Sequence, residues 1–183
     1  GGFAPWVGAL ITDIQQPILI VAEAGKAEEV ITRLARVGYD NSIGFLAGGF
    51  EAWKAAGKAI DTIESIDATT LAAQITTIEN ILDVRKPTEF LAEHLVNATN
   101  FPLDYINNNM HKINPTTTYH LHCAGGYRSM IAASILKARG FDNIVDVAGG
   151  WGAIKDTSAP KTAFLCPTKM TQAVIDEALA EVL

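Results

Sequence analysis

Cysteine is scarce in this chain, which has 183 residues and only two cysteines, Cys123 and Cys166. Two thiols so far apart in the sequence do not form the disulfide framework of a small secreted domain. This cysteine usage fits a reducing compartment. We therefore expect a cytoplasmic protein.

Basic residues are also few, with 14 Lys and Arg against 20 Asp and Glu and a formal net charge of −6. The absence of a basic cluster argues against nucleic acid or an anionic membrane surface as a partner. No uncharged run reaches the roughly twenty apolar residues that cross a bilayer. Hydrophobic residues make up 49% of the chain, which is enough for a sizeable core in one or two domains.

One of the two cysteines opens a short glycine-rich loop. Residues 118–122 include β-branched and aromatic side chains and indicate a strand. Apolar residues at helical spacing indicate a helix from Ser129 to Arg139, which Gly140 ends. The predicted loop between the two elements is Cys123-Ala124-Gly125-Gly126-Tyr127-Arg128-Ser129.

This loop favours a thiolate at Cys123. Gly125 and Gly126 accept positive φ, which lets successive backbone N–H groups turn toward the sulfur. The start of the following helix and the Arg128 side chain add positive charge. We expect the pKa of Cys123 to lie below the roughly 8.5 of a free thiol. The alternative is a buried, unreactive structural cysteine.

The loop resembles the Cys-x-x-Gly-x-Arg-Ser active-site loop of rhodanese sulfurtransferases. Two flanking blocks resemble the same family, in the right order, within residues 61–159. The first block is Ile81-Leu82-Asp83-Val84-Arg85, followed by Glu89-Phe90, His94 and Ala98-Thr99-Asn100-Phe101-Pro102-Leu103; the second is Gly140-Phe141-Asp142-Asn143-Ile144, followed by Val147-Ala148-Gly149-Gly150-Trp151.

The chain departs from the family pattern at two places. Residues 93–97 stand where the family usually has Gly-His-Ile-Pro-Gly, and Ile154 stands where many members have tryptophan. We expect a different surface turn and pocket rim, with the chemistry intact.

The resemblance implies an enzyme, a sulfurtransferase of the rhodanese type. Cys123 would take a sulfane sulfur from thiosulfate or from a thiol persulfide such as glutathione persulfide. The resulting Cys123 persulfide, held by the backbone of the loop, would pass the sulfur to a thiol, sulfite or cyanide. The partners are then a small-molecule donor and acceptor, with no metal and no organic cofactor. Asp83 and Arg85 are assigned a supporting ion pair beneath the loop, with an ordinary structural ion pair as the alternative.

Alternating strands and helices predict an α/β fold with a mostly parallel sheet and helices on both faces. Asp67 is expected to cap a helix that runs through Gln74, and Pro87 to begin another. Strands are predicted at 81–84 and 98–101, with a short helix at 103–110. The cysteine loop then lies at the carboxyl end of its strand, where open α/β sheets bind ligands.

The chain also repeats itself. Two short motifs occur twice. One is Gly38-Tyr39-Asp40-Asn41, which is similar to Gly140-Phe141-Asp142-Asn143, and the other is Ala47-Gly48-Gly49-Phe50, which is similar to Ala148-Gly149-Gly150-Trp151. The first copy has Ala22-Glu23-Ala24-Gly25 in place of the cysteine loop. We predict a truncated, catalytically degenerate rhodanese-like unit at 1–60, an active domain at 61–159, a tail with an amphipathic helix at 160–183, and a linker over 57–65.

A degenerate unit followed by an active one resembles the C-terminal half of persulfide dioxygenase–rhodanese fusions. This resemblance implies an upstream metallo-β-lactamase-fold domain on the full-length chain. A truncated first unit would leave a sheet edge exposed, so we also expect self-association into a homo-oligomer.

Other interpretations remain open. Related phosphatases and arsenate reductases have five residues between Cys and Arg where this chain has four, Ala124 to Tyr127, and a non-catalytic docking module is a further alternative. His120 and His122 are expected to be buried and hydrogen-bonded rather than metal ligands. Glu89 and His94 are assigned to packing and capping. Cys166 is interpreted as a bystander, with a resolving thiol as the alternative.

Overall fold

The protein is described from a computed structural model that covers residues 3–182. The chain folds as two compact units, Gly1–Thr62 (unit 1) and Ile63–Leu183 (unit 2). Predictions that involve Gly1, Gly2 and Leu183 lie outside the described residues. Among residues 3–182, no helix is both long and apolar enough to cross a membrane.

Unit 1 is built around a pair of parallel strands. Its elements in chain order are α1 (Phe3–Leu10), β1 (Ile18–Ile20), α2 (Ala27–Ala35), β2 (Ser42–Phe45) and α3 (Gly49–Ala55). Parallel strands need a crossover connection, and α2 supplies it between β1 and β2. One face of the pair joins a core of Val7, Ile20, Leu34 and Tyr39. Both strands also expose apolar side chains, including 72% of Leu19 and 57% of Phe45.

Unit 2 contains a five-stranded, all-parallel sheet in the order β3-β7-β6-β4-β5. Its strands are β3 (Glu64–Ile66), β4 (Ile81–Asp83), β5 (Ala98–Asn100), β6 (Tyr119–His122) and β7 (Ile144–Val147). Its helices are α4 (Ala68–Ala73), α5 (Pro87–Ala92), α6 (Ile106–Asn109), α7 (Tyr127–Ala138), α8 (Gly150–Ile154) and α9 (Gln172–Val182). This is the α/β architecture that the sequence predicts.

The central strands of unit 2 are buried on both faces. Neighbouring residues Ile81 and Leu82 of β4 point to opposite faces, and both are almost fully buried. Helices α4 and α8 share a core with Ile81 and Val147, whereas α7 packs on β6 and β7. Helices therefore flank the sheet, as parallel sheets require.

Several local predictions are confirmed. The Asp67 carboxylate accepts a 2.6 Å hydrogen bond from the Thr70 N–H at the start of α4, and Pro87 begins α5. Helix α7 begins at Tyr127, ahead of the predicted Ser129, because Gly126 at φ +98° caps it. The predicted helix at 103–110 is instead broken into a 3₁₀ turn, the short α6 and a second 3₁₀ turn.

The predicted linker over 57–65 extends too far at its C-terminal end. Glu64 and Ser65 are part of β3, because their backbone pairs with β7.

The C-terminal segment folds onto unit 2. Residues 160–165 run beside residues 92–96, with the Thr162 N–H donating to the His94 carbonyl at 2.9 Å and the Leu165 N–H to the Ala92 carbonyl at 2.8 Å. Helix α9 then packs against α5.

Candidate active site

Cys123 lies at the carboxyl end of β6, where the chain turns into α7. The turn depends on Gly126, whose φ of +98° lies in the left-handed region that favours glycine. In this conformation the Gly126 N–H points back and donates to the Cys123 Sγ atom at 3.1 Å. A four-residue segment of local sequence thus creates a hydrogen bond to the thiol.

The electrostatic setting lowers the pKa of the Cys123 thiol. Burial of the side chain by itself raises that pKa, but hydrogen bonds from Ser129, Gly125 and Gly126 stabilise the thiolate and outweigh it. The Ser129 hydroxyl also lies 3.1 Å from the Gly126 carbonyl oxygen. A thiolate at this position is the form that attacks electrophilic sulfur.

This shift predicts a pH dependence for the reactivity of Cys123. Because only the thiolate is alkylated, a lowered pKa moves the rise in alkylation rate to lower pH. We expect the iodoacetamide rate of a C166S variant, which keeps Cys123 as its one thiol, to reach half its maximum below the roughly 8.5 of a free thiol. A second variant, C166S with S129A, should move that midpoint upward. A midpoint at or above the free-thiol value would show that these hydrogen bonds do not stabilise the thiolate.

Asp83 and Arg85 form a buried ion pair at the end of β4, the strand next to β6. The Arg85 Nη2 atom lies 2.6 Å and the Nε atom 2.9 Å from the Asp83 Oδ2 atom. Arg85 also donates to the Glu93 carbonyl oxygen at 2.9 Å, and its guanidinium lies 4.6 Å from the ring centroid of Trp151. Asp83 and Arg85 therefore bind each other beside the end of β6, since Asp83 pairs with His122 in the sheet.

The Gly149-Gly150-Trp151 turn packs directly on the cysteine loop. The Trp151 N–H donates to the Cys123 carbonyl at 2.6 Å, and the Gly152 N–H donates to the Ala124 carbonyl at 2.9 Å. A Cβ atom on Gly150, where φ is +53°, would collide with the Cys123 carbonyl oxygen. Glycine at 150 therefore allows α8 to approach the loop and fix its backbone.

The Arg128 guanidinium is paired with a carboxylate. Its Nη1 and Nη2 atoms bind the two carboxylate oxygens of Glu89 at 2.6 Å and 2.8 Å. Glu89 also caps α5, because its carboxylate accepts from the Lys86 N–H at 3.1 Å. The sequence assigned Glu89 to capping and missed its second role. The Glu89-Phe90 pair of the family block marks Glu89 in the sequence, but the sequence does not indicate that Arg128 is its partner.

The remaining polar candidates have structural contacts. The His122 ring is fully buried, and burial lowers its pKa, so the ring is neutral. Its Nδ1 atom lies 3.4 Å from the Cys123 carbonyl oxygen. The His94 ring stacks on Phe90 with 3.6 Å between the ring centroids. The Cys166 Sγ atom lies 3.1 Å from the Thr168 hydroxyl. Within residues 3–182 no group of three or more His, Cys, Asp or Glu side chains is arranged to hold a metal ion.

The outer part of the loop is open to solvent. Ala124, Gly125 and Tyr127 are exposed, with 72% of the Tyr127 side chain accessible. Cys123 itself is only 1% exposed. The outer loop residues are thus accessible to solvent, whereas the protein encloses the Cys123 side chain.

These features define a parallel α/β domain with a cysteine of lowered pKa at the carboxyl end of its sheet. Residues 67–157 match the family profile of the rhodanese-like domain. A rhodanese-like domain protein from Staphylococcus aureus is 31% identical, with a TM-score of 0.50, and the match covers 55% of this chain and 100% of that one. A rhodanese-related protein from Thermoplasma volcanium is also 31% identical, with a TM-score of 0.50, over 54% of this chain and 97% of that one. Through unit 2, this chain belongs to the rhodanese-like domain family.

Curated relatives match the same region. The Bacillus subtilis protein YqhL, which is uncharacterised, is 33% identical over 75 residues, 39% of this chain and 60% of that protein. YrkF of the same organism, named as a candidate sulfur carrier protein, is 31% identical over 71 residues, 39% of this chain and 38% of that protein. The match thus spans 60% or less of the length of these relatives.

Proposed function

We propose that unit 2 is a sulfurtransferase that carries a sulfane sulfur on Cys123. The observation that supports this most is the hydrogen bond from the Gly126 N–H to the Cys123 Sγ atom, at 3.1 Å, in a loop with further donors. Such a cradle stabilises a thiolate and, after transfer, the terminal sulfur of a persulfide. The loop residues that form it are Cys123, Ala124, Gly125, Gly126, Tyr127, Arg128 and Ser129.

The proposed reaction has two steps. The Cys123 thiolate attacks the outer sulfur of the donor, an S–S bond forms at Cys123, and the donor's own bond to that sulfur breaks. The donor remainder leaves with the bonding electron pair, as sulfite from thiosulfate or as a thiolate from a persulfide. A thiol, sulfite or cyanide acceptor then attacks the Cys123 persulfide and regenerates the thiolate. Asp83 and Arg85 support the loop from below, and no step requires a metal or an organic cofactor.

Intact-mass measurement of the wild-type chain tests this proposal. After brief incubation with thiosulfate or glutathione persulfide, we expect the mass to rise by one sulfur atom and to return to its starting value when cyanide or a thiol is added. A chain that gains no sulfur from either donor would contradict the proposal. Hydrolysis of p-nitrophenyl phosphate by the same sample would then favour the phosphatase alternative.

We also propose that unit 1 is a second rhodanese-like unit without a nucleophile. The β1–β2 pairing aligns Leu19 with Gly44, and the β6–β7 pairing aligns His120 with Val145. Counting forward from these pairs places Ala22 at the position of Cys123. A Cβ atom on Gly49 would lie 2.6 Å from the Ala22 carbonyl oxygen, the approach that Gly150 makes to Cys123. With alanine at this position, unit 1 cannot carry sulfur.

The domain plan and partners follow from the same proposal. The degenerate unit at 1–60 precedes the active domain at 61–159, and the segment at 160–183 completes unit 2. On a longer chain, an upstream metallo-β-lactamase-fold domain would be a partner that shares a persulfide. The location that we propose is cytoplasmic, because both cysteines are free thiols and a reducing compartment keeps thiols in that form.

A further inference from the structure

The two arginines near the cysteine loop are both paired with carboxylates. Arg128, in the loop, binds Glu89 through two nitrogen atoms. Arg85, just after β4, binds both carboxylate oxygens of Asp83 through its Nε and Nη2 atoms. Partial burial raises the pKa of Glu89, but the Arg128 guanidinium and the Lys86 N–H outweigh it and lower that pKa. Glu89 is therefore an anion at neutral pH, and each pair has no net charge.

This pairing changes which sulfur donor the site accepts. Thiosulfate brings two negative charges to a thiolate that already carries one, so three charges meet in the transition state. A thiol persulfide brings at most one negative charge to the reacting sulfur atoms. Because both guanidinium groups are already neutralised, little positive charge remains to offset the charge of a dianion.

The exposed rim of the loop also fits an organic donor. Tyr127 exposes 72% and Met130 41% of their side chains, three residues apart on the first turn of α7, where residues of that spacing share a face. An organic thiol offers carbon atoms that can contact such side chains, whereas thiosulfate offers only oxygen and sulfur.

We propose that Glu89 is a specificity-determining residue that directs the site to thiol persulfides and away from thiosulfate. The inference rests on the proposed sulfurtransferase function and deepens it. Glu89 acts through Arg128 and is a positioning residue. In the favoured step, the Cys123 thiolate and RSSH give the Cys123 persulfide and RS⁻, which takes a proton from solvent, so that atoms and electrons balance.

The test compares the rates at which two donors load Cys123. Thiosulfate and glutathione persulfide are each mixed with wild-type chain, with E89Q and with E79Q, and sulfur gain is followed by intact mass. The glutamine in E89Q keeps an oxygen that can accept from Lys86 or Arg128 while it removes the negative charge. Glu79 is an exposed residue two positions before β4, at the end of the strand away from the loop. E79Q therefore makes the same change in net charge outside the site.

We expect the wild-type chain to load faster from the persulfide than from thiosulfate. E89Q should raise the thiosulfate rate relative to the persulfide rate about tenfold, since removal of one charge from a partly buried site acts mostly on the dianion. E79Q should leave this ratio unchanged, and E89D should restore the wild-type preference. A structural role of Glu89 would slow both donors together and would leave the ratio unmoved.

The outcomes separate the inference from the function on which it rests. Loading from persulfide with an unchanged donor ratio in E89Q overturns the role of Glu89 and leaves sulfur transfer standing. A wild-type chain that loads faster from thiosulfate also overturns the inference. No loading from either donor in any variant overturns the proposed function and the inference together.

Discussion

Replacing Cys123 with serine is expected to abolish sulfur transfer. The serine hydroxyl is not ionised at neutral pH and is a poor nucleophile toward sulfur, so the chain should gain no sulfur atom from either donor. Turnover should fall by at least about a thousandfold, as loss of a nucleophile does in other covalent enzymes. The fold should persist, because the serine oxygen can accept the same hydrogen bond that Gly126 now donates to the Cys123 Sγ atom.

The matched control is C166S. Cys166 lies in the C-terminal segment and contacts the Thr168 hydroxyl, so its loss should leave loading of Cys123 intact. If C123S gains sulfur as the wild type does, Cys123 is not the carrier. If C166S alone stops turnover while the Cys123 persulfide still forms, Cys166 is a resolving thiol. A docking module would give a third pattern, in which neither variant nor wild type gains sulfur.

The second large effect is expected from G150A, which should destabilise unit 2 and slow loading at Cys123. At φ +53° an alanine is strained, and its Cβ would collide with the Cys123 carbonyl oxygen. Strain and overpacking together should lower the free energy of unfolding by about 2–4 kcal/mol. The collision falls on the loop itself, so a displaced thiolate should load about a hundredfold more slowly.

Gly140 provides the control for G150A. Its φ of +87° imposes a similar backbone strain, but a Cβ atom there would meet no atom within 4 Å. G140A should therefore cost only about 1 kcal/mol and leave the loading rate unchanged. Urea unfolding followed by fluorescence measures the first quantity, and intact mass measures the second. If G150A and G140A changed the free energy of unfolding and the loading rate equally, the contact between α8 and the loop would have no role in positioning Cys123.

The sequence was most informative where function depends on local backbone. The path from β6 through Cys123 to α7 uses neighbouring residues only, and Gly126 lies three positions after the cysteine. Its positive φ and its hydrogen bond to sulfur are properties of a strand–turn–helix segment. The same holds for Asp67 and Pro87, which mark the starts of α4 and α5 through local caps.

Prediction was weaker where an element depends on distant contacts. The sequence predicts Glu64 and Ser65 as part of a linker. They instead belong to the edge strand β3, because their backbone pairs with β7. The segment at 103–110 has no strong periodicity, and packing divides it into short turns around the buried Ile106. Residues 160–165 gave no strand signal and are held by backbone hydrogen bonds to residues 92–96.

The sequence by itself determined the cysteine loop, its glycines and the parallel α/β fold of unit 2, because these follow from short-range spacing and hydrophobic pattern. The Asp83–Arg85 pair was predicted together with the family resemblance. Only the tertiary structure decided which group the Arg128 guanidinium binds. Its partner Glu89 lies 39 positions earlier, on a helix that follows β4, and the two meet because β4 and β6 are neighbours in the sheet. Strand order is a property of the packed chain, so the electrostatic character of the site was fixed by packing and not by the loop sequence.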